Sequence, residues 1–374
     1  MERREIYLKY PDKRDVLFVL GAGASHPDGV PLQRHILPLI LSGEIEEINN
    51  SNLGKLVIDF INDNYQYGRR VDQFPRIEAV FGFLDYFIYQ NESLSVDYSY
   101  STLLEIKEAL IKIIHYIVDL KSDKGRTYYH QFWKNIQKFN SNISIITLNY
   151  DTLLEQGFRF LFENFGYIDY SIHLMNYDKI HSEKKFTSWI NPRSPVEVQD
   201  EVSPVPIKIM KIHGSLNWKY CNCCNQTLLT PWDKKIDLQR GKFLGYTYPE
   251  RVEYEYNCPL DGTDFQTLIM PPSNVKSLNH PVISSLLSEA TREIRSTKKI
   301  VFVGYSLSDA DVHIKALFKK NLNEDVKVYV VNSHLGNKMK LRFNSIHPNI
   351  EFIEKPFEEL VKDEEVMSRL LCKD

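Results

Sequence analysis

The chain has 374 residues, 43% of them hydrophobic, enough to bury one large core or one core with a sizeable insertion. Its 46 basic and 49 acidic side chains leave a formal charge of -3, which excludes a global basic field that would gather nucleic acid or an anionic membrane. No stretch of about 18 apolar residues occurs, and the charged opening MERREIYLKYPDKR lacks an apolar core of signal-peptide length, so a soluble, cytoplasmic protein is expected.

In chain order, the first predicted strand begins at Asp15 and runs into Gly21, Ala22, Gly23, Ala24 and Ser25. A short β-branched and aromatic run stopped by Gly-x-Gly predicts the first strand of a Rossmann-type sheet feeding a phosphate-binding turn. With no Cβ on either glycine, backbone can approach a pyrophosphate closely. Two prolines and Gly29 then predict a loop that folds over a bound cofactor. From Leu32 to Phe139 the pattern is helical: Ile77, Val80, Phe81, Leu84 and Ile88 recur at three-to-four spacing, as do Leu103, Ile106, Leu110, Ile113 and Ile117. These stripes read as packed core.

A second strand, Ile143 to Thr147, ends in TLNYD, and Asp151 reads as the cap of the helix that follows. Residues 165–205 read as a long loop or irregular insertion. A third strand, Ile207 to Ile212, finishes in HGSLNW; irregular cysteine-bearing sequence follows, and LIMPPS predicts a return to the sheet. Then come a helix over 281–296, a strand and turn in KKIVFVGYSLSDADV, a helix from Asp309 to Lys320, a strand in VKVYVVNS, a last strand over Asn349–Glu354 and an amphipathic helix over Phe357–Leu371. This alternation predicts an α/β fold, a Rossmann-like parallel sheet with helices on both faces.

Ligands of open parallel sheets bind beyond the carboxyl ends of the strands, where GAGAS, TLNYD, HGS and GYS all fall. A dehydrogenase needs a third glycine in the turn and an acidic residue closing the second strand; here that glycine is missing and Glu44, Glu46 and Glu47 fall in a helical stretch, which disfavours hydride transfer. Taken one at a time, Asn149 reads as a turn residue, Asp151 as a cap, His213 as a structural histidine and Ser306 as a helix start. His26, His173 and His313 have no comparable context, although His26 lies in the presumed cofactor loop. Four of the five cysteines fall between 221 and 258, a clustering that points to metal rather than disulfides; Cys372 stands apart.

Together, Gly21-Ala22-Gly23-Ala24-Ser25, Thr147-x-Asn149-x-Asp151, His213-Gly214, Gly304-x-Ser306 and Val331-Asn332 occur in the order and rough spacing of the sirtuin fold. The chain resembles the bacterial sirtuin-like branch found in antiphage defence, over about residues 15–355. The resemblance implies one sirtuin-like domain over 1-374: 13-31, 140-165, 205-218 and 266-374 as the Rossmann core, 32-139 as a helical module, and 166-204 with 219-265 as an irregular, zinc-ribbon-like insertion. It implies that Gly21, Ala22, Gly23, Ser25, Gly304 and Ser306 hold the NAD pyrophosphate and nearby ribose, and that Asn332 contacts the adenosine ribose. Asn149 would lie beside the nicotinamide ribose and position water, Asp151 would accept from the carboxamide, and His213 would act as general base. The chemistry suits those types: glycosidic cleavage develops oxocarbenium character, and a His of ordinary pKa about 6.5 takes a proton near neutrality.

Sirtuins carry two Cys-x-x-Cys pairs. Here Cys221-x-x-Cys224 is followed by Cys258-x-x-Asp261, so the resemblance implies a structural zinc on Cys221, Cys224 and Cys258 with Cys223 or Asp261 as fourth ligand. The activity it implies is NAD glycohydrolysis to nicotinamide and ADP-ribose, in a homo-oligomer paired with a HerA-type ATPase and depleting cell NAD on infection. A deacylase of the same fold, or a module that senses NAD or ADP-ribose, is the alternative. VGYSLSDAD stands where deacylases carry a Phe-Gly-Glu-like segment, which favours water as co-substrate.

Overall fold

A computed structural model describes residues 3–68, 70–175, 189–192, 194–199, 203–230, 234–247, 249–273 and 278–372. The chain forms two compact units. One comprises Met1–Val30, Asp123–Gly214 and Leu278–Asp374, the other Pro31–Ser122 and Ser215–Ser277.

The first unit is built on eight strands: β1 Val16–Leu20, β2 Ile143–Thr147, β3 Gly166–Asp169, β4 Trp189–Ile190, β5 Val205–Lys211, β6 Lys299–Val303, β7 Lys327–Asn332 and β8 Ile350–Glu354. Their order in the sheet is β8-β7-β6-β1-β2-β5-β3-β4, and every neighbouring pair is parallel. Parallel strands covered on both faces read as continuous apolar runs, and all five residues of β1, β2 and β6 are buried. From β1 the chain winds to β2 on one side, while β6 pairs with β1 on the other. The order therefore reverses between β1 and β6, the topological switch point at which open α/β sheets bind ligands.

The expected α/β sheet is present, with local differences. Gly166–Asp169 and Trp189–Ile190 extend the sheet, and Pro195–Gln199 pairs antiparallel with Arg3–Tyr7, in a region read as loop or irregular insertion. Strands of four and two residues at a sheet edge are too short to print a pattern. Residues 176–188, 193 and 200–202 of that insertion lie outside the described residues. The expected helix over 357–371 is two helices, Phe357–Leu360 and Glu364–Leu371, because Asp363 caps the second by accepting from the Val366 N–H at 3.0 Å. The helix after TLNYD spans Leu153–Arg159, with Asp151 Oδ1 accepting from its first N–H at 3.1 Å.

The second unit contains the helices Gln33–Leu41, Glu46–Asn50, Asn52–Asn64, Ile77–Gln90 and Tyr100–Ser122. Both sequence stripes lie on its buried faces, apart from the half-buried Ile88. The helix Tyr128–Phe139 groups with the parallel sheet instead. The irregular cysteine-bearing insertion carries short strands: Gly214–Cys221 is flanked by Gln226–Leu229 and Gln266–Ile269 in one three-stranded sheet, and Ile236–Asp237, Lys242–Tyr246 and Glu253–Glu255 form another. The expected return of LIMPPS to the parallel sheet is overturned by that pairing. Leu268 and Ile269 are buried in the small sheet, and the three apolar residues Leu268, Ile269 and Met270 do not say which sheet they join. Among the described residues, no helix is long and apolar enough to cross a membrane.

Candidate active site and metal cluster

At the switch point three strand ends interlock through backbone. The Gly21 N–H donates to Val303 O at 3.0 Å, the Gly23 N–H to Gly304 O at 2.8 Å, and the Gly304 N–H to Val331 O at 3.0 Å. A Cβ on Gly21 would lie 2.6 Å from Gly304 O, and one on Gly304, whose φ is +61°, would lie 2.3 Å from Ala24 N. The turns after β1 and β6 thus need glycine to fit against each other, a reason for GAGAS separate from any approach by a pyrophosphate. Asn332 secures the second turn, its Nδ2 donating to Tyr305 O at 3.2 Å, while Ala22 and Ser306 are exposed at the turn surfaces.

The TLNYD end of β2 is tied to the first turn by side chains. Asn149 Nδ2 donates to Gly21 O at 2.9 Å and to Ser25 Oγ at 3.0 Å, and Ser25 Oγ lies 3.0 Å from the Tyr129 hydroxyl. Ser25 is fully buried, and its hydroxyl also bonds Asp151. Burial pushes the Asp151 carboxyl up, against the pull of the Lys211 ammonium and that hydrogen bond. Beneath it, buried Lys211 donates to Asp151 O at 2.5 Å and to Glu155 Oε1 at 2.9 Å, and the Tyr170 hydroxyl donates to the same Glu155 oxygen at 2.8 Å. This ion pair fixes the junction between β2 and β5. Tyr129, Lys211 and Glu155 escaped the sequence reading because nothing in their local pattern separates them from ordinary helix or strand residues.

His213, two residues beyond β5, faces His313: their Nε2 atoms are 3.1 Å apart and their rings 5.3 Å apart at 34°. The reading that His313 lacks a comparable context is corrected by this contact. His313 occupies the first turn of the helix Val312–Asn321, after the turn that follows β6, and that position beyond a strand end was the available signal. Asp311 stands beside the pair, its Oδ2 accepting from the Tyr305 hydroxyl at 3.1 Å.

The loop after GAGAS is a 3-10 turn, His26–Asp28, closed by Gly29 at φ +96°. Both Asp28 oxygens lie 3.2 Å from the Tyr128 N–H, and burial raises the Asp28 carboxyl to about 6. A cavity of about 600 Å³ opens beside it, lined by Asp28, Arg126, His130, Lys134 and Lys362 among others; none of the predicted site residues lines it.

In the second unit, Cys221, Cys224, Cys258 and Asp261 present four ligand atoms within 4.8 Å of one another, while Cys223 is exposed and outside the group. The Cys224 and Cys258 sulfurs are 3.8 Å apart, and Cys221 Sγ lies 3.3 Å from Asp261 Oδ2. Ligands at the usual zinc distances span tetrahedral edges of about 3.7 Å for two sulfurs and about 3.5 Å for sulfur and oxygen, so the group fits such an ion. Burial pushes the Cys258 thiol up to about 12 and raises Cys224 as well, whereas the Thr263 N–H, 2.9 Å away, leads in drawing Asp261 down to about 2.

No curated protein sequence matches the chain. Solved structures similar to it include a Sir2 enzyme described for mechanism and regulation, at 14% identity over 96% of this chain and 94% of that one with a TM-score of 0.40. A Sir2 bound to an acetylated peptide (TM-score 0.44) and a Sir2–peptide–NAD+ complex (0.43) each match at 12% identity over 96% of this chain and 93% of theirs. The sequence profile of the SIR2-like domain matches residues 143–334, a range that spans TLNYD, HGS, the cysteine cluster, GYS and Val331-Asn332. That range is more than half of the chain, and the protein belongs to the SIR2-like domain family.

Proposed function

We propose that the chain is an NAD hydrolase that releases nicotinamide and ADP-ribose. The observation that carries this reading is the joining of Asn149, Ser25 and Asp151 across two strand ends at the sheet's switch point, with His213 at a third. The turns at Gly21–Ser25 and Gly304–Ser306 would receive the pyrophosphate, with Ala22 and Ser306 on their exposed side and Asn332 nearest the adenosine ribose. Because the Asn149 amide nitrogen is already committed to the turn, its role toward the ribose falls to the amide oxygen. Asp151 would orient the carboxamide.

In the reaction the bond between ribose C1′ and the nicotinamide nitrogen breaks, and nicotinamide leaves with the electron pair as a neutral base. Water oxygen bonds C1′, and its proton passes to His213. The site has to orient and cradle rather than supply a strong acid, which suits buried amide and carboxyl groups around a turn. Family membership supports NAD chemistry at this site; the choice of water over an acylated lysine rests on GYSLSDAD at the strand end after β6. We further propose a structural zinc on Cys221, Cys224, Cys258 and Asp261, a cytoplasmic homo-oligomer, and an antiphage role controlled by a HerA-type ATPase.

Incubation with NAD and chromatography of products tests the reading, with the ATPase supplied in a parallel arm. Nicotinamide and ADP-ribose are expected in equal amounts, with a loss of about 100-fold or more in His213→Ala. Nicotinamide release that requires an acetylated peptide would make the protein a deacylase; binding without turnover in every arm would make it a sensor.

A further inference from the structure

We propose that His213, His313 and Asp311 form a second metal site, separate from the cysteine cluster, which takes a divalent transition-metal ion of the zinc type and silences the site while it is bound. The part about silencing rests on the NAD reading above; the binding part does not. The three side chains offer two imidazole nitrogens and a carboxylate oxygen, all within 4.8 Å of one another. At metal–nitrogen distances of about 2.0–2.1 Å, two imidazoles on one ion stand about 3.3 Å apart in tetrahedral geometry and about 2.9 Å apart at an octahedral right angle. The observed separation of His213 and His313 Nε2, 3.1 Å, falls between them.

The fold supplies the arrangement without needing a ligand to build it. Asp311 immediately precedes the helix Val312–Asn321 and His313 is its second residue, so one helix start carries two of the three donors. His213 comes from the end of β5, which core pairing with β2 and β3 fixes in place. Tyr305, whose ring is buried, donates its hydroxyl to Asp311 Oδ2 at 3.1 Å, the outer hydrogen bond that typically orients a ligating carboxylate. Two imidazoles with one carboxylate suit zinc, cobalt, nickel or ferrous iron, and do not suit magnesium or calcium, which prefer oxygen donors throughout. Three protein ligands leave further coordination positions open to water.

The consequence for the site is direct. A nitrogen lone pair that binds a metal cannot accept a proton, so an ion on His213 Nε2 removes the proposed base. The bound ion holds the site off, and its removal restores the base.

The test uses the full-length protein and Co(II) as the probe, since cobalt on thiolates gives intense charge-transfer absorption and cobalt on imidazole and carboxylate does not. Wild type is expected to bind one equivalent without thiolate absorption, in addition to any at the cysteines. His313→Ala and Asp311→Asn each weaken that equivalent at least 10-fold, and Cys258→Ser retains it. Asp311→Asn keeps the side chain's size, so a loss in both variants is not one of folding. In the activity arm, stoichiometric zinc lowers NAD turnover at least 10-fold in wild type, a chelator reverses it, and turnover by His313→Ala does not respond. No equivalent beyond the cysteine cluster, equal binding in His313→Ala, or a rate that rises with zinc overturns the inference. Hydrolysis by a protein that binds no equivalent beyond the cysteine cluster sinks the inference and spares the NAD reading; an extra equivalent lost in His313→Ala, with no hydrolysis even after chelation, sinks the NAD reading and spares the metal site.

Discussion

In the parallel-sheet unit, residues as far apart in sequence as Gly21, Asn149, His213 and Gly304 are brought to one edge by strands that pair in the core, and they hold one another by backbone and amide hydrogen bonds. In the other unit, Cys221, Cys224, Cys258 and Asp261 gather from two short turns. The first arrangement is fixed by burial of β1, β2 and β6 and needs no ligand to exist. The second puts two sulfurs 3.8 Å apart with the Cys258 and Cys224 thiols pushed up by burial, so a cation bound there has to displace thiol protons. Long-range pairing builds the one site, and local chemistry the other.

The largest expected effect comes from breaking the first arrangement at its buried ion pair. Lys211→Met leaves Glu155 charged and buried, and should cost about 3–5 kcal/mol by urea unfolding. Adding Glu155→Leu should restore much of that loss; a single variant as stable as wild type would show that the pair does not hold the junction. Gly304→Ala places a methyl against Ala24 N at a positive φ, and strain with overpacking should cost about 3 kcal/mol. An unchanged midpoint in that variant would mean that the two turns are not packed as described.

A smaller effect belongs to the second unit. His115 is buried, its Nε2–H donating to Leu216 O at 3.0 Å, and burial lowers its pKa to about 4. The unfolded imidazole takes a proton near 6.5, so between 6.5 and 4 the unfolded chain binds more protons. Stability is therefore complete above 6.5, falls as pH drops, and levels off below 4. At pH 5 this amounts to about 2 kcal/mol, and His115→Leu should flatten that slope; an equal slope in the variant would assign the acid sensitivity elsewhere. The smallest effect separates neighbours: Cys223→Ser should leave zinc content by elemental analysis at the wild-type level, while Cys224→Ser should lower it. Equal loss in both would bring Cys223 into the ligand set.

Much of the first unit is legible in the sequence because parallel strands buried on both faces appear as short apolar runs, and the turns that end them carry Gly21, Asn149, His213 and Gly304 at recognisable places. The helical stripes of the second unit are legible for the same reason. What escapes is whatever depends on pairing between distant segments. Gln266–Ile269 looks like any buried strand until its partner is known, and Gly166–Asp169 is too short to look like one. Asn149 Nδ2 turns inward to the Gly21 turn, a contact that leaves no trace in local sequence; His313 has only its place beyond a strand end to mark it, and its meeting with His213 depends on the pairing of distant strands. The cysteines were legible as a group, but the choice of Asp261 over Cys223 required the fold of the turn at 258–261.

The central claim, that the interlocked strand ends position NAD for hydrolysis at His213, is tested most directly by quantifying nicotinamide and ADP-ribose from NAD with wild type, Asn149→Ala and His213→Ala, each checked for folding and each with and without the coexpressed ATPase. The account predicts equimolar products from wild type in at least one arm, and a loss of about 100-fold or more in His213→Ala. Equal turnover by wild type and His213→Ala would contradict it.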